Sequence, residues 1–258
     1  MIGFFIKKAF FDGWDNLIGM VLQNLIYIVL FACALVCFSL VDISVPLFYV
    51  VMVLIIFVTC IFAGGTSSTV FGYSDYEKET WGPFGAGIRR NIRHSLLFFV
   101  ITLLLFIIAT LVIPFYMAIN NMVGILLGVI LSWVFIIVML ALVYYFPLMN
   151  LLPGDRPLKT LKKCFIILGD NLGFSFFLLL YNAVLLALSA LTMGTIPGVA
   201  GYMLAQQDAM KLLMFKYDWL EEHPDTNRRK IPWDELLYDE KEKVGPRSFK
   251  SMIFPWKY

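Results

Sequence analysis

Charge and reactive side chains are scarce in this chain. Of its 258 residues only 15% are charged and two are histidine. A soluble domain carries about 25% charged residues, so a soluble globular body is excluded. His94 and His223 have no metal-ligand spacing to a cysteine or to each other. No nucleophile motif or paired-carboxylate pattern accompanies them. The chain therefore reads as non-enzymatic, with no catalytic residue, metal or cofactor expected. Cys33, Cys37, Cys60 and Cys164 all fall in apolar or basic segments, which argues against a disulfide framework. A net charge of only +2 removes nucleic acid as a partner.

Apolar residues are abundant, at 60% of the chain, with a mean hydropathy of +0.83. Apolar runs recur at the roughly 20-residue length that crosses a hydrocarbon core as a helix. They predict an all-α polytopic membrane protein with six transmembrane helices, near 17–41, 46–69, 95–118, 123–149, 172–193 and 195–216. The N-terminal "MIGFFIKKAFFDGWDN" lacks a cleavage-site layout, so the first run is expected to stay in the membrane. Short connections follow spans one, three and five, and longer polar ones follow two and four. The spans thus pair into three tight hairpins. All 20 Lys and Arg residues then fall on one side, and of the acids only Asp42 falls on the other. By the positive-inside rule both termini are cytoplasmic. The expected location is a membrane that the chain crosses several times.

A repeat organises the connections. Asn16, Asn91 and Asn171 are spaced by 75 and 80 residues, and each precedes Leu or Ile and then a span. Each also follows a short segment of mixed basic and apolar residues. Phe4, Phe5, Lys7, Lys8, Phe10 and Phe11 suit a helix lying flat, rings in the acyl boundary and lysines on headgroups. Leu158, Leu161, Phe165 and Leu168 make an apolar stripe opposite Lys159, Lys162 and Lys163. Each unit is expected to be an amphipathic interfacial helix, an asparagine elbow and a hairpin, over about 1–70, 82–149 and 157–216. Together these make a 1–216 transmembrane domain, followed by a cytoplasmic tail at 217–258. Each asparagine is expected to cap its span by accepting from a backbone N–H two or three residues on. The alternative is that the three converge on one site. The middle elbow carries Arg89, Arg90 and Arg93, the best candidates for contact with a headgroup or other anion.

Four stretches resemble the YesL-like family of bacterial integral membrane proteins: "GWDNLIGMVLQNLIYIVLF", "FAGGTSSTVFGYSDYEKE", "FGAGIRRNIRHSLLF" and "YYFPLMNLLPGDRPLKTLKKCFIILGDNLGFS". The resemblance runs from residue 5 to about 215. It implies a companion of carbohydrate-uptake transporters of the ATP-binding-cassette kind, and it supplies no catalytic residues.

Ionisable groups inside spans are costly and mark function, and the first five spans have none. Gln23, Asn24 and Asn182 fit interhelical hydrogen bonding. In the sixth span Asp208 is expected to pair locally with Lys211, three residues on. The alternative is a functional polar patch of Gln206, Gln207 and Asp208. The small residues Ala63–Ser68 allow close helix approach, and Pro114, Pro147 and Pro197 kink or start spans.

The tail from Lys216 carries nine basic and nine acidic residues. Trp233, Arg247, Phe249, Lys250, Phe254 and Trp256 suit docking, either on headgroups or on a protein partner. The leading expectation is an accessory or regulatory partner of a membrane complex such as a carbohydrate uptake system, in contact with the lipid bilayer. The alternative is a small transporter or channel with a polar site inside the helix bundle.

Overall fold

The computed structural model describes residues 1–119, 121–224 and 231–247. Every regular element among them is helical. Helix α1 (Ile2–Asp15) breaks at Asn16 and α2 (Leu17–Cys37) follows, ending in a 3₁₀ turn at Phe38–Val41. Helix α3 (Val45–Ser74) is the longest. After a polar loop, α4 (Trp81–Arg90) breaks at Asn91 before α5 (Ile92–Ile107). A π-helical segment at Ile108–Val112 joins α5 to α6 (Ile113–Ala118). Pro114 lies just past that segment. Proline has no N–H for the carbonyl of Thr110, four residues earlier within the π segment, and the i→i+5 pattern there lets the helix continue past it. Helix α7 (Met122–Leu142) gives way at Val143–Tyr144 to α8 (Tyr145–Leu151), which carries Pro147. Then come α9 (Pro157–Asp170), Asn171, α10 (Leu172–Leu191) and α11 (Gly198–Glu222). Short helices α12 (Trp233–Leu236) and α13 (Tyr238–Val244) finish the described chain.

Five of these segments are long and apolar enough to cross a membrane: Leu17–Val41, Val45–Ser74, Ile92–Ala118, Met122–Leu151 and Leu172–Leu191. Their outer faces expose large apolar side chains such as Val29, Phe31, Leu126, Trp133 and Leu186. Water would penalise such faces and hydrocarbon accepts them. The chain is an all-helical, multi-pass membrane protein.

The expected sixth span departs from this pattern. Helix α11 starts at Gly198 rather than 195, and it is not among the five apolar segments. It sits at the centre of the bundle, packed against α1, α2, α3, α8 and α10. Ala200, Leu204, Ala209, Met210, Leu212 and Leu213 are all buried, and so are Gln206, Gln207 and Asp208. Hydropathy measures tolerance of lipid, and a helix sheathed by other helices does not need it.

Close packing around α3 has a visible cause. A methyl group on Gly64 would collide with Ser95 of α5, and one on Gly65 would meet Phe84 and Ile88 of α4 at 2.9 Å. Gly87 of α4 in turn rests on Ser68. The small-residue stretch 63–68 is thus the groove into which α4 and α5 settle.

Candidate functional site

Three elbows recur as α1–Asn16–α2, α4–Asn91–α5 and α9–Asn171–α10. The capping role expected of their asparagines is reversed. No side chain of the three caps the helix that follows. Asn16 Nδ2 donates back to Asp12 O at 2.9 Å, and Asn171 Nδ2 donates to Ile167 O at 3.0 Å. These bonds satisfy carbonyls orphaned where the preceding helix ends. Asn91 Nδ2 reaches across to α3 instead, donating to Gly64 O at 3.1 Å and Ser68 Oγ at 2.9 Å. Asn171 also donates to Tyr217 Oη and accepts from Lys216 Nζ at 2.7 Å. Each asparagine fastens its own elbow, and among the described residues the three share no bonding partner.

Helix α1 does not lie flat with both lysines facing out. Phe5, Lys8, Phe11 and Asp12 are buried, because α1 packs along α11. Phe5 meets Phe174, Phe177 and Tyr181 of α10 edge-on. Lys8 is wholly enclosed. Its Nζ donates to Asp12 Oδ2 at 2.6 Å, one turn on, and to Ser74 O at 2.9 Å. The same nitrogen lies 3.6 Å from Asp208 Oδ1 and 3.4 Å from Glu240 Oε2.

Tyr76 completes the cage. Its backbone is left-handed, φ +67°, a conformation costly for a non-glycine residue. That turn lays its ring 4.3 Å from Lys8 Nζ and lets its hydroxyl donate to Glu240 Oε2 at 2.9 Å. Lys211 does not pair with Asp208, three residues earlier, as expected. It bonds Asp75 Oδ1 at 2.7 Å and Ser74 O, and lies 3.3 Å from Glu240 Oε1. Side chains of α1, α11 and α13 and the turn after α3 therefore meet at one buried point.

The electrostatics follow from burial and neighbours. Burial opposes the charge on Lys8, but Asp208 and Asp12 overcome it and hold the ammonium above the usual lysine range. Burial and the nearby Asp208 push the Asp12 carboxyl up to about 8, against the pull of Lys8. Burial also resists ionisation of Glu240, yet Lys8 and Lys211 hold it down at about 2.

The other polar side chains of the bundle interior are buried but distributed. Asn24 Nδ2 donates to Thr195 O and Pro197 O, and its Oδ1 accepts from Ala200 N at 2.8 Å. It staples the turn before α11 to α2. Asn150 of α8 donates to Ser67 O, Ser67 Oγ and Gln207 Oε1. Gln206 is also buried on α11. Gln23 is fully enclosed with neither amide atom paired, and Asn182 Oδ1 and Gln207 Nε2 are also unpaired. Asp208 belongs to the Lys8 network at one end, and Asn24 to the turn at the other. Of the six candidate polar residues, Gln206, Gln207 and Asp208 belong to α11 itself, and Asn24 and Asp208 serve opposite ends of that helix rather than one site.

Arg89, Arg90 and Arg93 lie exposed around the second elbow, and among the described residues none pairs with a carboxylate. Arg90 only reaches Ser68 Oγ, at 3.4 Å. In the third unit Leu158 and Phe165 are exposed while Thr160, Cys164, Ile167 and Leu168 turn inward. The buried face is therefore rotated from the expected stripe. Trp233 packs half-buried against the main core. Arg247 pairs with Asp15 at 2.7 Å and covers the Phe11 ring at 4.7 Å. Both tail residues dock on the protein itself. Phe249, Lys250, Phe254 and Trp256 lie outside the described residues.

Sequence reasoning missed Lys8, Asp12, Tyr76, Asn150 and Glu240 as parts of the network and core. The i,i+4 spacing of Lys8 and Asp12 was the one local signal. Tyr76 and Glu240 carry none, since their partners are remote in sequence.

These features define the class, an all-helical membrane protein with a buried ion network at one end of its bundle. Comparison with protein-family models, curated proteins and solved structures finds no match for the chain.

Proposed function

We propose that this is a non-enzymatic bacterial inner-membrane protein of the YesL-like kind, acting as an accessory or regulatory partner of a membrane complex. A carbohydrate uptake system of the ATP-binding-cassette kind is the complex the resemblance favours. The observation that carries this reading is the joined pair of terminal segments. Lys7 Nζ donates to Gly245 O at 2.8 Å, and Arg247 binds Asp15 through both carboxylate oxygens. Residues 231–247 thereby become part of one surface with α1. Counting α11 as a shielded sixth crossing would put both segments on one side of the membrane, and the lysine and arginine bias favours the cytoplasmic side for them. The unpaired arginines of the second elbow belong to the same side and offer that surface a basic edge for lipid or partner.

Affinity purification of the full-length chain in mild detergent tests this. Subunits of an uptake transporter should co-purify stoichiometrically and be lost when Arg89, Arg90 and Arg93 are changed to Glu. Recovery of the protein alone, with solute flux when it is reconstituted into liposomes, would overturn the accessory role. That outcome would favour the second reading, a small transporter or channel, for which the unpaired, fully buried Gln23 amide is the specific support.

A further inference from the structure

The buried ion network does not balance in charge. Asp12, Asp208 and Glu240 contribute three enclosed carboxyls, while Lys8 and Lys211 contribute two ammonium groups. Lys243, which binds Glu240 Oε1, and Asp75, which binds Lys211, lie toward water and add one charge of each sign, which leaves the imbalance unchanged. Tyr76 faces the network from the turn after α3, and Tyr181 of α10 lies in the field of Asp208. An unmatched buried negative charge is expensive, and a carboxyl in that position keeps a proton instead.

The three enclosed carboxyls are not equivalent. Neither oxygen of Asp208 has a hydrogen-bond partner, although the side chain is fully enclosed. Ser74 Oγ, also enclosed and unpaired, faces it from α3. Asp12 repels Asp208 from α1, and its free-acid form removes that repulsion. Glu240 is different, since it accepts from Tyr76 and lies between both lysines.

We propose that Asp12 and Asp208 form a proton-binding pair, and that the proton they hold locks the C-terminal segment, through Glu240, onto Lys8. The site takes one proton, and the latch is α12–α13. The proposal stands whether or not the chain partners a transporter.

The direction of the pH effect follows from linkage. With α13 docked, the Asp12 carboxyl keeps its proton up to about pH 8, against an ordinary value of 3.8. Undocking takes Glu240 away from Lys8 and admits water, which relieves the burial that raises the Asp12 carboxyl, so the pair releases its proton at lower pH. Docking therefore weakens as pH rises toward about 8 and levels off above it, by about tenfold per pH unit within the window. On the acid side Glu240 titrates at about 2 when docked and 4.5 when free. That contribution is present above 4.5 and is lost as pH falls toward 2. Docking is strongest at mildly acidic pH.

Spin labels on G3C and E242C, in full-length protein with Cys33→Ser, read the latch by pulsed electron resonance. Gly3 has open space around its Cβ position, and Glu242 is exposed. A single short distance is expected near pH 5–6, and a broad, longer distribution above about pH 9. Asp208→Asn, which removes the surplus charge, should keep the short distance at alkaline pH. Asp12→Asn should do the same, and misfolding cannot mimic a retained short distance. Unchanged distances from pH 5 to 10, or the same transition in both variants, would overturn the proposal. A transition that follows sodium or potassium concentration at fixed pH would overturn it too, by assigning the site to an alkali cation.

Discussion

Lys8 and Glu240, 232 residues apart in sequence, lie 3.4 Å apart inside the protein with both side chains almost wholly enclosed. One comes from the first helix and the other from the last described helix, so two segments remote in sequence close on a single charge.

The first prediction concerns that charge. Lys8→Met leaves Asp12, Asp208 and Glu240 without their common counter-ion. Breaking a buried pair on one side costs about 3–5 kcal/mol, and denaturant unfolding in detergent should register a loss of that order. Adding Asp208→Asn to Lys8→Met should recover part of it. A single Lys8→Met variant as stable as the parent would mean that the network contributes nothing net.

The second concerns the elbows. An N-cap asparagine can be replaced by aspartate with little loss, because only its oxygen is used. Asn91 uses its nitrogen instead, on Gly64 O and Ser68 Oγ. Asn91→Asp should therefore be no better than Asn91→Ala, each costing about 1–3 kcal/mol. Thermal unfolding of the two variants side by side checks this, and a near-parental Asn91→Asp would restore the capping assignment.

The third concerns the far end of α11. Asn24 serves two carbonyls and one N–H of the 195–200 turn. Asn24→Ala orphans these enclosed groups at about 1–3 kcal/mol for each one left unpaired. Protease accessibility of the 192–198 connection should rise as the turn loosens. Equal protection in the variant would show that the staple is dispensable.

Much of the architecture was legible in local sequence. Spans announce themselves by length and hydropathy, and "DNL", "RNI" and "DNL" marked each elbow to the residue. What an asparagine bonds to was not legible, because its amide can donate backward as readily as its oxygen accepts forward, and the choice depends on geometry. The fate of α1 was hidden for a related reason. "FFIKKAFF" has the pattern of a surface helix, and the acids that draw Lys8 inward sit on helices formed far along the chain. Glu240 lay in a segment whose balanced charge suggested solvation, while its partners are Lys8, Lys211 and Tyr76. Candidate sites built from local motifs were readable; a site assembled from four distant elements was not.

The central position of α11 bears on how the protein is made. Among the described residues it is the last long helix, the least suited of them to partition into lipid alone, and the one against which α1, α2, α3, α8 and α10 all rest. The five apolar segments can enter the membrane as they are synthesised, but their inner faces then wait for a core that does not yet exist. Until α11 has been translated, the sides of these helices that pack on it have nothing to pack against. A chain cut short before α11 would be inserted and still hollow, the form that membrane quality control is placed to recognise.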